Sequence, residues 1–321
     1  MSRAWRIEYE GALYHIFSRG NRKKNIFFDN DDRRLFLSTI DDMSQRFGVQ
    51  ILCYVLMSNH YHLLVKTKRA NLKTAMHWFG TTYTQRFNTR HSIIGHLFQG
   101  RYKSILVENE DYMLLLSCYI HRNPLRANYV ERLADYRWSS YLAYAYGQSP
   151  PSWLSTELIL SQLNPDDPYK SYREKVQRYA KEEKQLWENF RHGLFLGSKR
   201  FVETIRDQYL PDKPHAAIVQ QKQLANRVDP ISILNRAQQI LNCEVKQIAQ
   251  SGRVSRTVKD KRDLMIYLLW KTGALSHDQI GQIFGISYSA VSHAVKSLKI
   301  RLKDNRKLRA KLKQLYSLFK L

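Results

Sequence analysis

Along the first hundred residues the apolar positions switch between a period of two and a period near 3.6, the marks of strand and helix. Tyr14-His15-Ile16-Phe17-Ser18 reads as a strand that runs into the polar loop Arg19-Gly20-Asn21-Arg22-Lys23-Lys24. Asn30-Asp31-Asp32 supplies capping and acidic first-turn residues for a helix with the stripe Leu35, Phe36, Ile40, Met43 and Phe47, stopped by Gly48. Two strands follow at about 49–57 and 60–66, with Ser58-Asn59 as a turn or bulge between them. A helix at 71–88 carries Leu72, Ala75, Met76, Phe79, Tyr83 and Phe87 on one side, and Arg101 to Val107 is a fourth strand. The order strand–helix–strand–strand–helix–strand predicts an α+β, ferredoxin-like (RRM-like) βαββαβ sheet. That fold serves many functions and decides none by itself.

A third helix begins near Asn109-Glu110-Asp111 and carries Leu115, Leu116, Tyr119 and Ile120 before Asn123-Pro124. The aromatic run Trp138 to Tyr144 reads as packing that closes a first domain, 1–147. Gly147-Gln148-Ser149-Pro150-Pro151-Ser152 has linker composition. Residues 148–228 then read as a helical connector, broken at Pro165 and Pro168 and again at Pro211 to Pro214. From 229 to 321 the pattern is all-helical. Ser276 to Phe284, the turn Gly285-Ile286-Ser287, and a helix from Tyr288 have the layout of a DNA-reading helix-turn-helix. Tyr288, Ser289, Ser292 and His293 would lead the second helix into a major groove of duplex DNA, with Lys296, Lys299 and Arg301 facing phosphates.

Charge changes this picture from fold to partner. Lys and Arg number 52 against 28 Asp and Glu, a formal net charge of +24. Residues 51–100 hold six basic side chains and no acidic one, and residues 251–321 hold sixteen against four. Two separate basic surfaces point to nucleic acid, with an anionic membrane surface as the rival. Cys53, Cys118 and Cys243 fit neither a disulfide framework nor a zinc pattern. No apolar run approaches membrane-spanning length and the N-terminus has no signal-peptide core, so a soluble, cytoplasmic, nucleoid-associated protein is expected.

The candidate chemistry sits in Met57-Ser58-Asn59-His60-Tyr61-His62-Leu63-Leu64-Val65. Side chains alternate along a strand, so His60 and His62 share a face and offer two imidazoles to a divalent metal. Such an ion would act on a phosphate oxygen as Lewis acid and template. No serine or cysteine with a nearby base is evident as nucleophile. Tyr119 lies on a helix, with Asn123 one turn later on the same face. A tyrosine hydroxyl is a weak nucleophile at neutral pH and needs a polarised phosphodiester or a base to react.

These residues, with Gly95-His96-Leu97-Phe98-Gln99-Gly100-Arg101-Tyr102 and Tyr119-Ile120-His121-Arg122-Asn123-Pro124-Leu125-Arg126-Ala127, resemble the REP-associated tyrosine transposases. These belong to the His-hydrophobic-His (HUH), single-tyrosine, IS200-like group. The resemblance covers roughly residues 5–147, with Tyr14 to Asn21 and Trp138 to Tyr141 as its ends. It implies a ferredoxin-like catalytic domain that cuts single-stranded DNA near a hairpin, using Mg2+ or Mn2+, through a 5′-phosphotyrosine link. By position it makes His60 and His62 metal ligands and Tyr119 the nucleophile. Asn123 stands where relatives can present a third ligand, or else caps the short helix after it. The rival class is a catalytically silent DNA-binding regulator. Arg19, Arg22, Lys23, Lys24, Arg101 and Lys103 are candidate DNA-backbone contacts. His96 and His121 are expected to be structural or surface histidines, and Cys118 a core residue. Residues 229–300 are similar to the DNA-binding domain of the bacterial replication initiator.

Overall fold

The computed structural model describes residues 5–213, 215, 218, 221, 224–225, 230–245, 255–272 and 275–317. The boundaries expected at Pro214 and at 228–229, and the first four residues, lie outside that set. The chain divides into two compact units, one of Arg6–Thr204 and one formed chiefly by Ile205–Leu321.

In the first unit β1 (Leu13–Arg19), α1 (Asn30–Phe47), β2 (Val49–Leu56), β3 (His60–Thr67), α2 (Leu72–His91) and β4 (Lys103–Val107) follow in the expected order. The strands lie in the order β2-β3-β1-β4, each antiparallel to its neighbour, as in a ferredoxin-like sheet. The Asp29 carboxylate accepts from the Asp32 amide at 2.9 Å to start α1, and Gly48, at φ 66°, ends it in the left-handed conformation glycine adopts most readily.

Strand alternation gives the sheet two faces. Ser18 and Tyr61 stand opposite each other in register and share the face covered by α1 and α2, where Tyr61 packs on Phe36. Phe17 and His62 are likewise paired and point the other way. On that second face Leu13, Val55, Leu64 and Ile105 join Met113, Leu116 and Ile120 of α3 (Glu110–His121) in one buried cluster.

The first unit does not end at 147. After α4 (Asn123–Arg126), α5 (Tyr141–Tyr146) and α6 (Glu157–Leu160), the helix α7 (Pro168–Glu188) buries Tyr172, Val176, Tyr179 and Leu186 in the same cluster as α3. The expected connector is therefore, up to Thr204, part of the first unit's core. Its amphipathic stripe is apolar because it docks on α3. β5 (Phe190–Arg191) and β6 (Phe195–Leu196) extend the sheet, with β6 parallel to β4. At the opposite edge Ile51 bridges to Leu154 and Val55 to Ser139. α8 (Lys199–Tyr209) spans the division between the units.

A chain of buried hydroxyls ties α7 to α3. Ser117 Oγ donates to the Leu114 carbonyl at 2.7 Å, so it can only accept from Tyr172 Oη, 2.9 Å away. Tyr172 Oη must then accept from His121 Nδ1 at 2.7 Å, which leaves His121 Nε2 to accept from Ser140 Oγ at 2.7 Å. The network assigns His121 as a neutral Nδ1–H tautomer, and burial holds its pKa down to about 3. His121 is thus a structural histidine, as expected, and Cys118 a buried core residue.

The second unit contains α9 (Pro230–Leu241), α10 (Arg256–Thr272), α11 (His277–Phe284), α12 (Tyr288–Asp304) and α13 (Arg306–Ser317) around one apolar cluster. α11 starts in a capping box between Ser276 and Gln279, and Gly285, at φ 65°, turns the chain into α12, whose first amides are capped by Ser287. Val291, Val295 and Leu298 face the core. Arg301 corrects the phosphate-facing expectation. It pairs with Asp260 and with Asp263, a fully buried carboxylate, so it locks α12 to α10.

Candidate active site

β3 presents His60 and His62 on the face toward α3, their ring centroids 5.2 Å apart. His60 Nδ1 donates to Asn59 Oδ1 at 2.7 Å, and the Asn59 amide is oriented by its own bond to the Lys23 carbonyl at 3.0 Å. His60 Nε2 therefore carries the free lone pair. His62 Nδ1 is engaged with His15 Nε2 at 2.9 Å, which again leaves Nε2 toward the site. His15 Nδ1 is buried without a hydrogen-bond partner.

All three rings are held neutral. Burial, then the Arg19 charge, lowers His60 to about 4. Burial, with the Arg126 charge added and with no room for a second proton beside His15 and His60, keeps His62 well below its usual value, and burial alone takes His15 to about 3. A neutral imidazole is the form that binds a metal.

Tyr119 comes to these histidines from α3, its ring edge-on to His62 at 6.0 Å and to His15 at 6.0 Å. Two further side chains fix it. The Arg126 guanidinium lies 5.0 Å over its ring, and the Trp187 ring meets it edge-on at 4.9 Å. Asn123 remains helical despite preceding Pro124. Its amide nitrogen donates to the Tyr119 and Ile120 carbonyls at 2.9 and 3.1 Å, closing the end of α3 instead of capping the helix that follows. Its Oδ1 is left for another partner. Among the described residues no group of three or more His, Cys, Asp or Glu could hold a metal ion.

Arg19, the last residue of β1, and Arg22, Lys23 and Lys24 in the loop after it are all exposed. Arg19 lies across from His60 in the β1–β3 register, and Arg22 and Lys23 turn the loop with φ of 52° and 64°. Lys103 Nζ lies 5.8 Å over Phe17, beside His62, whereas Arg101 borders a cavity on the α2 side. In the second unit Tyr288, Ser289, Ser292, His293 and Lys296 share the exposed side of α12, while Lys299 packs on Trp270 at 4.1 Å. Among the described residues no helix is long and apolar enough to cross a membrane.

His15, Phe17, Arg126 and Trp187 were not legible as site residues in the sequence. Only the β1–β3 register brings His15 to His62, and only the docking of α7 brings Trp187 to Tyr119.

Residues 8–123 match the model of the family Transposase IS200 like. This stretch is similar to the IS200-like transposases, and the match covers little more than a third of the chain. The two histidines of the motif, Tyr119 and Asn123 fall inside it, whereas Arg126, Tyr172 and Trp187 fall beyond its end. The solved structure of the REP associates tyrosine transposase bound to a REP hairpin is similar at 16% identity and a TM-score of 0.40, covering 48% of this chain and 92% of that one. No curated protein matches the chain.

Proposed function

We propose that the chain is a metal-dependent single-stranded DNA endonuclease and strand transferase that cuts near hairpin DNA through a phosphotyrosine intermediate on Tyr119. The observation that carries this reading is the approach of the Tyr119 ring to within 6.0 Å of His62, on the face where both motif histidines keep Nε2 free. His60, His62 and the Asn123 Oδ1 would hold Mg2+ or Mn2+, with oxygen donors from the DNA needed to suit so hard an ion. When bound there, the ion supplies Lewis-acid polarisation of the phosphodiester.

The protein's own residues do the rest. His62 donating from Nδ1 to His15 is the tautomer that turns a bare Nε2 to the site, so His15 orients a ligand. Arg126 stabilises negative charge where the phosphate meets the phenol. Tyr119 Oη forms a bond to phosphorus while the bond from phosphorus to the 3′ oxygen breaks. The phenol loses its proton and the departing 3′ oxygen gains one, leaving a 5′-phosphotyrosine link. The exposed cations Arg19, Arg22, Lys23, Lys24 and Lys103 would hold the strand, and the exposed side of α12 would hold duplex DNA.

The test is incubation with single-stranded hairpin oligonucleotides, with and without Mn2+, on a denaturing protein gel. A shifted band that needs metal, His60 and Tyr119 is expected. Tight DNA binding with no adduct under any condition would instead favour the silent regulator.

A further inference from the structure

The motif from Gly95 to Tyr102 has no part in the chemistry above, yet it lines a cavity of the first unit. That cavity, about 510 Å³, lies on the α2 side of the sheet. The motif strand is pinned along the end of β1 by Asn21 N donating to the Leu97 carbonyl at 2.8 Å and Gln99 N to the Arg19 carbonyl at 2.9 Å. Tyr61, the middle residue of the His-x-His motif, forms the inner wall with Phe98 and Leu97. The mouth carries Arg6, Arg101, His77 and His96, and no acidic side chain lines the space.

Three features mark it as a place for a ligand. The Tyr102 hydroxyl is buried there without a hydrogen-bond partner, an arrangement that costs free energy until something bonds it. The Arg6 guanidinium is already stacked on the Tyr102 ring at 4.3 Å, its planar fork presented for an anion. Gly80 stands in the middle of α2, where glycine is unfavourable, and a Cβ added there meets nothing within 4 Å. Gly80 thus keeps the cavity open at the expense of its own helix.

We propose that this cavity receives one unpaired nucleotide of single-stranded DNA, its base against Tyr61 and Phe98 and its phosphate on Arg6 and Arg101. Aromatic and apolar walls, a buried hydroxyl able to read a base edge, and a rim that carries Arg6 and Arg101 without any carboxylate match a base and its phosphate together. The volume exceeds what a free phosphate ion fills. Tyr61 sits between His60 and His62 in β3, so the anchored nucleotide lies across the sheet from the histidine pair. The anchor would set how far along the strand the scissile bond falls. The inference rests on a DNA substrate but not on tyrosine chemistry.

Photocrosslinking tests it on the full chain carrying Tyr119→Phe, in EDTA, so that a failure of the phosphotyrosine reading cannot disturb the result. The probe is a random-sequence single-stranded 20-mer pool with 5-iodo-deoxyuridine in place of thymidine, and crosslinked peptides are mapped by mass spectrometry. Labelling within residues 92–102 is expected, reduced at least tenfold by Gly80→Leu, which fills the cavity while improving helix propensity. A melting temperature for Gly80→Leu at or above the parent shows that folding is intact. Tyr102→Phe should lower the labelling several-fold without lowering the melting temperature. Crosslinks confined to other peptides, or undiminished by Gly80→Leu in a folded protein, overturn the proposal. Equal labelling by free 5-iodo-deoxyuridine monophosphate at the same concentration also overturns it, because the site would then serve free nucleotides.

Discussion

Tyr172→Phe isolates one hydroxyl at the seam between α7 and α3. In the parent that oxygen accepts from His121 Nδ1 and donates to Ser117 Oγ, at full burial. In the variant Ser117 keeps its bond to the Leu114 carbonyl, so the damage falls on the His121 N–H, left buried with no acceptor. An orphaned buried donor costs about 1–3 kcal/mol, so a loss of about 2 kcal/mol is expected. For a unit the size of Arg6–Thr204 that corresponds to a fall of about 4–8 °C in melting temperature. Differential scanning calorimetry of the full chain reads it. The transition of the first unit is the one that Leu298→Ala, in the core of the other unit, leaves in place. His121→Phe removes the donor instead, and Ser140 Oγ still accepts from the Tyr54 amide at 2.9 Å. The double variant should therefore recover at least about 0.5 kcal/mol relative to the sum of the singles. A shift below 1 °C for Tyr172→Phe, or strict additivity, would refute both the proton assignment and the role of α7 in the core.

Four other outcomes follow from the same structure. His15 and His121 have folded pKa values depressed to about 3 from 6.5, so their contribution is complete above pH 6.5 and is lost as pH falls toward 3. Only the unfolded chain takes up the protons, so stability should drop by roughly 1.4 kcal/mol per pH unit for each histidine over that window, measured by urea unfolding at pH 7.5, 6 and 5. His15→Phe removes the partner of His62 Nδ1 and should weaken Mn2+ affinity about 10–100-fold in a calorimetric titration, while unchanged affinity would rule out the orienting role. Arg301→Ala should lower the stability of the second unit by about 2 kcal/mol because it strips one of the two cations from buried Asp263 and leaves only Arg262, 3.1 Å away, whereas Lys296→Ala should leave stability alone and reduce the salt slope of duplex binding by about one.

The elements of residues 13–121 were readable because each carries its own period and its own stop signal, such as Gly48 after Phe47. The same holds for α11 and α12, where Ser276, Gly285 and Ser287 punctuate the apolar pattern. The His60, His62 and Tyr119 constellation was readable as a motif, but its supports were not. Tyr172, Val176 and Tyr179 form a stripe that shows a helix has a partner without showing which. Phe195-Leu196 is too short a strand to stand out from any apolar pair. Arg301 looked like one more cation in a basic tail because its acidic partners lie about forty residues earlier.

The bridges at the two margins of the sheet have a consequence for association. Bare strand margins recruit further strands from other chains. Here β6 zips onto β4 at one side, while Leu154 and Ser139 touch β2 at the other, and all but Ser139 come from sequence past 147. A protein cut at 147 would lose the partner of β4, part of the cover of β2, and the apolar plug of α7. Such a fragment should self-associate by strand addition, and the whole chain should resist it. The stretch that looks like a spacer works as the selvedge that keeps the woven sheet from unravelling into its neighbours.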